Sequence, residues 1–121
     1  MRIKEAAEAS QLSVDTIRYY EKSGMLPQIE RDGSGQRAFS PANIEWLTIL
    51  YWLRSTGMPM KEMRDYAQMV HAGDDTIPGR IALLRNHEAR LVERRKELDR
   101  CDEILRHKLS IYEQIETEDG S

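Results

Sequence analysis

Between Thr16 and Tyr20 the chain places a hydroxyl, a guanidinium and two phenols within five residues, and two more guanidiniums, Arg37 and Arg54, follow. All of these groups donate hydrogen bonds, and the arginines stay charged at any physiological pH. None of them pairs with a base as a nucleophile would. No Ser/His/Asp set, paired catalytic carboxylates, phosphate loop or metal-ligand spacing accompanies them, so no enzyme active site, metal or cofactor is expected. His71, His87 and His107 stand far apart. A metal site would need His71 and His87 to join Asp74 or Asp75; ordinary solvated histidines are the expectation.

The elements that must position these donors are helical. Ile3, Ala6, Ala7 and Ser10 recur at helical spacing. After a tight connection at Gln11-Leu12, Ser13 caps a second helix and Asp15 sits in its first turn, where the dipole favours an acid. Val14, Ile17 and Glu21 mark one face, and Asp15, Thr16, Arg18 and Tyr19 lie mostly on others. Gly24 is the left-handed stop. Two helices joined by such a turn make a helix-turn-helix.

An extended trace over Met25–Ile29, a turn-rich stretch over Arg31–Arg37 and a second extended trace at Ala38-Phe39 predict a small β-hairpin, or wing. Ser40-Pro41 opens a third helix with Ile44, Leu47, Leu50 and Leu53 on its apolar stripe, and Gly57 stops it. Pro59 opens a fourth, running through Met63, Tyr66 and Val70. Trp46, Tyr51, Trp52 and Met60 would line an apolar pocket or, as such residues more often do, fill the core.

Leu84, Leu91, Leu98, Leu105 and Tyr112 then fall every seven residues, with Glu88, Arg95, Asp99, Asp102 and Arg106 between them. The helix predicted over 78–116 would be about 58 Å long. Its apolar seam needs a partner helix, and a second copy supplies one most simply. Cys101, the sole cysteine, takes a core position of this repeat as a small hydrophobe. A redox role or a cross-dimer disulfide would instead require exposure and a lowered pKa. Residues 117–121 read as a frayed acidic tail. The divisions expected are a head over 1–70, a hinge over 71–77, the coil and the tail.

Composition bounds the class. Of 121 residues, 40% are hydrophobic and 32% charged, with a net charge of −3, which describes a folded chain without a general basic coat. Residues 1–61 carry eight Lys/Arg and seven Asp/Glu, for +1; residues 62–121 carry ten and fourteen, for −4. No apolar run approaches the roughly 20 residues of a membrane span, no signal peptide is evident, and a lone cysteine fits a reducing cytoplasm.

The run Ser13-Val14-Asp15-Thr16-Ile17-Arg18-Tyr19-Tyr20-Glu21-Lys22-Ser23-Gly24-Met25-Leu26-Pro27 resembles the recognition helix of the MerR family of transcription regulators. Gly35, Arg37 and Phe39 match its wing, Leu53-Arg54-Ser55-Thr56-Gly57-Met58 the end of its third helix, and the heptad helix its dimerising coil. The fold implied is mainly α: a winged helix-turn-helix head, then a long C-terminal coiled-coil helix. The resemblance also implies roles. Thr16 and Arg18 would meet the major groove, Tyr19 and Tyr20 the backbone phosphates, Arg37 a phosphate from the wing and Arg54 one from the third helix. Leu84, Leu91, Leu98, Leu105 and Tyr112 would pair two copies through an antiparallel coiled coil. The partners implied are double-stranded promoter DNA, bent and untwisted on binding, and RNA polymerase at that promoter. Taken singly, the same residues have plainer readings. Arg18 would pair with Glu21 on one helix face, and a tyrosine ring would pack in the core with its hydroxyl wet.

Two positions depart from the family pattern. Gln11 stands where glycine is common in the turn, at a strain cost if that position is left-handed. Pro59 replaces a serine-type cap. The stretch Ala72–Pro78 lacks the cysteines of metal-sensing members, so no soft-metal site of that type is expected. No ligand-binding domain is expected after the coil. The short stress- and aldehyde-responsive branch is the nearest likeness, but its third-helix cysteine is replaced by Trp52. The function expected is a dimeric transcription regulator with an unknown inducer. The alternatives are an effector-free architectural DNA-bending protein and a coiled-coil adaptor.

Overall fold

The computed structural model describes residues 1–120. In chain order it comprises α1 (Ile3–Ser10), α2 (Val14–Lys22), the two-residue strands β1 (Glu30–Arg31) and β2 (Arg37–Ala38), α3 (Pro41–Ser55), α4 (Met60–Ala72), a single 3-10 turn (Asp74–Thr76) and α5 (Ile77–Asp119). Backbone contacts divide the chain into two units, Met1–Leu84 and Arg85–Ser121.

In the first unit, α1 contributes Ala6 and Ser10 to the interior, both essentially inaccessible to solvent. These small residues let α1 approach α3 closely. The Ser10 hydroxyl is satisfied locally by donating to the Ala6 carbonyl at 2.7 Å. Gln11 follows with φ 68° and ψ 6°, the only non-glycine described with positive φ. The expected left-handed turn is therefore real, and Gln carries its strain.

Helices α2 and α3 end in the same way. Gly24 and Gly57 both take positive φ. Gly24 N–H donates to the Glu21 carbonyl at 3.2 Å and Met25 N–H to Tyr20 at 2.9 Å; Gly57 N–H donates to Arg54 at 3.2 Å and Met58 N–H to Leu53 at 2.9 Å. Each is a Schellman stop whose following residue drops into the core. Met25 and Met58 are both fully buried. The Gly-Met pairs thus reverse the chain and fill the interior in one step.

Ser40 caps α3 by accepting from Asn43 N–H at 3.1 Å, and Asn43 Oδ1 accepts from Ser40 N–H at 2.9 Å. The reciprocal partner was not foreseen, because Asn stands where Glu or Gln is usual. Pro59 starts α4 with no side-chain cap, as its chemistry requires. Trp46 packs as expected, stacked on Tyr66 at 5.5 Å between centroids and donating from Nε1 to the Met25 carbonyl at 2.8 Å. Trp52 does not. It is 50% exposed on the outer side of α3, edge-on to Tyr51 at 5.0 Å, because Leu50 and Leu53 already take the inward positions of that turn.

The junction into α5 is closed by Thr76 and Arg80. The Thr76 hydroxyl lies 2.5 Å from the Met69 carbonyl and 2.7 Å from that of Gly73, and Arg80 donates to Gly73 at 2.6 Å and to the Thr76 hydroxyl at 3.0 Å. These donors satisfy carbonyls that the end of α4 leaves without helical partners.

The second unit is helical to Asp119, so Thr117, Glu118 and Asp119 are not the frayed tail expected of them; Ser121 lies outside the described residues. The whole of α5, 43 residues, is about 64 Å long. His87, expected in solvent, is 3% exposed. It lies three residues after Leu84 and four before Leu91, on the seam itself, with Nδ1 at 3.1 Å from Arg90. Leu98, Leu105 and Tyr112 are 64%, 55% and 56% exposed, as is much of Ile104, Leu109 and Ile115 beside them. Cys101 is exposed too; its burial would require a partner helix.

Two stability measurements follow. Gln11→Gly relieves the left-handed penalty and, after the extra entropy of unfolded glycine, should raise stability by about 0.5–1 kcal/mol in urea denaturation. An unchanged midpoint would mean the turn is unstrained. Met58→Ala empties a sealed core site and should cost about 2–4 kcal/mol by the same assay.

Candidate nucleic-acid interface

Helix α2 is nine residues long. Its spacing sends Ile17 and Tyr20 inward, and both are at most 2% exposed. Asp15, Arg18, Tyr19 and Lys22, at intervals of three and four residues, form the exposed stripe. Ser13 Oγ accepts from Thr16 N–H at 3.0 Å and shares a hydrogen bond with the Thr16 hydroxyl at 2.8 Å. That cap fixes the first turn of α2 and half-covers Thr16.

The tyrosines divide as the plainer reading allowed. Tyr20 is a core residue, 2% exposed, and one wall of a cleft of about 520 Å³ lined also by Ser13, Thr16, Tyr51 and Arg54. Burial pushes its pKa up, against the pull of Arg54. Tyr19 is 47% exposed. Its hydroxyl accepts from Arg64 of α4 at 3.2 Å, and hydrogen bonds from Arg64 and then Ser23 hold its pKa below the usual phenol value. Arg64 carried no motif. Only the folded head brings it within hydrogen-bond reach of Tyr19.

Arg54, at the end of α3, donates to the Met58 carbonyl at 3.2 Å and borders the same cleft. Arg18 is exposed and makes no hydrogen bond or ion pair among the described residues; the expected pairing with Glu21 does not form. Glu21 instead binds Arg37 of the wing. Arg37 Nε lies 2.8 Å from both carboxylate oxygens and Nη2 2.5 Å from one of them. The Glu21 hydrogen bonds hold the Arg37 proton even more firmly than usual.

The wing is a minimal ladder in which Glu30 pairs Ala38 and Arg31 pairs Arg37. Asp32 organises its loop, accepting through Oδ1 from Ser34 N–H, Ser34 Oγ and Gln36 N–H at 2.9, 2.7 and 3.0 Å. The Ser34 hydroxyl foremost, and the Gln36 amide, keep its carboxyl below the ordinary range. The chain start is tied in as well. Met1 and Phe39 exchange backbone hydrogen bonds at 3.0 and 2.6 Å, and Arg2 meets Gln36 and, at 3.4 Å, Asp32.

The consequence is a second, basic cleft of about 230 Å³ bordered by Arg2, Arg18, Arg31 and Arg37. Arg2 and Arg31 were not among the expected site residues. Neither belongs to a motif, and only the hairpin pairing and the Met1–Phe39 bridge bring them beside Arg18. The cation-rich surface formed by α2 and the wing suits a polyanion. It offers hydrogen-bond donors without a nucleophile. Among the described residues no group of His, Cys, Asp and Glu could hold a metal ion, and no helix is long and apolar enough to cross a membrane.

Comparison with known proteins agrees with this geometry. The description "MerR HTH family regulatory protein" matches residues 1–70. An HTH-type transcriptional regulator from Haemophilus influenzae is 37% identical over 109 residues, which cover 90% of this chain and 81% of the relative. The crystal structure of HiNmlR, a MerR family regulator lacking the sensor domain and bound to promoter DNA, superposes with a TM-score of 0.84 at 35% identity, covering 93% of this chain and 90% of that one. A MerR family regulator from Listeria monocytogenes superposes equally well, with a TM-score of 0.84 at 33% identity, covering 93% and 86%. These relatives are transcription regulators, not enzymes. The chain, with its winged helix-turn-helix head and long terminal helix, belongs to the MerR family of transcription regulators.

Proposed function

We propose that this regulator binds duplex promoter DNA as a homodimer in the cytoplasm, with α2 in the major groove and two α5 helices paired antiparallel. Arg18 and Thr16 read or grip base edges, Tyr19 and Arg54 hold phosphates, and Tyr20 backs the helix from the core. The observation that carries this reading is the division of α2: its Ile17 and Tyr20 side is sunk in the core, leaving Arg18 uncompensated on the opposite stripe. An unpaired guanidinium held on a rigid helix is what bidentate base contact needs. The dimer is supported by the exposed seam of α5, since Leu98, Leu105 and Tyr112 gain burial only from a partner. Distortion of an over-long promoter spacer, which lets RNA polymerase engage, is the corresponding mode of action.

An architectural protein that bends DNA without an effector is a second reading, favoured by the likeness to a relative that lacks a sensor domain. In-vitro transcription from a promoter with a long spacer separates the two: the regulator changes transcript yield, and the architectural protein bends the duplex without changing it.

Arg18→Ala should weaken binding to the chain's own upstream region by at least about tenfold in fluorescence anisotropy, the loss expected of one major-groove contact. Wild-type affinity in that variant would remove α2 from the groove. Leu98→Asp with Leu105→Asp should convert a dimer to single chains in sedimentation equilibrium without loss of folded head, because neither residue packs in the head core. A wild-type protein that sediments as single chains would end the dimer reading.

A further inference from the structure

The wing's two arginines, Arg31 and Arg37, and Arg2 of the chain start border one cleft with Arg18 of the recognition helix, and they are not in equivalent states. Arg37 is half-buried, 29% exposed like its partner Glu21, and both carboxylate oxygens lie on its Nε face. Its charge is neutralised and its fork occupied. Arg31 is exposed, one residue from the turn, with Nη1 on the neutral Gly35 carbonyl at 2.8 Å. Arg2 is more exposed than Arg37 but is shared with Asp32. The hairpin itself is two residues per strand, too short to stay ordered without tertiary support. Its attachments are the Met1–Phe39 bridge, the contacts of Arg2 with Gln36 and Asp32, and the Glu21–Arg37 pair, and of these the last joins it to α2.

We infer that Glu21 and Arg37 are positioning residues, a strut that holds the wing against the recognition helix, and that the wing's phosphate ligand is Arg31. This deepens the DNA-binding reading and rests on it. It also replaces the phosphate role first expected of Arg37. A strut depends on the two-pronged geometry, whereas a phosphate ligand depends mainly on charge. Lysine keeps the charge and loses the fork.

The test uses the full-length protein and its upstream duplex, with affinity measured across a salt series. Each phosphate contact contributes about 0.9 to the slope of log affinity against log salt. Arg37→Lys and Arg37→Gln should both weaken binding by about tenfold with the wild-type slope retained, and Arg31→Gln should lower the slope by about 1.8 for a dimer. Glu21→Gln combined with Arg37→Gln should bind no worse than Arg37→Gln alone. Arg37→Lys binding like wild type, with a reduced slope in Arg37→Gln, would overturn the proposal, as would an unchanged slope in Arg31→Gln. Hydrogen exchange of the free protein supplies a readout without DNA. Glu21→Gln should speed exchange of the Asp32 and Ala38 amides while core amides of α3 stay protected; unchanged wing exchange counts against the strut. If the wild-type protein fails to bind the duplex, the DNA-binding reading falls, while the exchange experiment still decides whether the strut exists.

Discussion

A nine-residue helix does not persist in water on its own, so α2 exists because Ile17 and Tyr20 are buried. Everything on its outward stripe depends on that anchorage. With two inward side chains fixed three residues apart, the rotation of the helix is set, and Arg18 and Tyr19 are aimed away from the core. The Ser13 cap and the Gly24 stop fix the two ends. The donor surface is therefore the reverse side of a packing decision.

The rest of the head enforces the same geometry. α1 supplies small residues that allow close approach, and the matching Gly-Met stops of α2 and α3 turn the chain and plug the interior with Met25 and Met58. The wing has almost no structure of its own. Asp32 builds its loop, while Met1, Arg2 and Glu21 hold it from outside. Gln11, the one non-glycine with positive φ among the described residues, sits in the turn that delivers α2, where the packing on both sides over-determines the backbone.

Charge is distributed with similar economy. The chain is acidic overall, yet Arg2, Arg18, Arg31 and Arg37 gather at one cleft, and the acids among them are engaged: Glu21 by Arg37, Asp32 by the wing loop and Arg2. A polyanion approaching that cleft meets arginines beside two acids, Glu21 and Asp32, that are already engaged. Net charge reports nothing of this, because attraction at contact range depends on local placement.

Periodicity and capping residues were legible in the chain itself: the helix starts at Ser13 and Ser40, the stops at Gly24 and Gly57 and the turn at Gln11 follow from local backbone chemistry, and so does the existence of a hairpin, although its strands lie at Glu30–Arg31 and Arg37–Ala38, inside and at the edge of the stretch expected as turn. Local rules do not say which of two adjacent tyrosines faces inward, that Trp52 stands outside while Trp46 is packed, or that His87 is buried on the seam. Nor do they pair Glu21 with Arg37 across sixteen positions, or bring Arg2, Arg31 and Arg64 to α2. Those outcomes were settled by tertiary packing, because an ion pair or a burial between distant segments has no signature in the sequence of either one. The sequence by itself determined that a short donor-bearing helix would form; only the folded head decided which of its donors are committed inside and which remain outside.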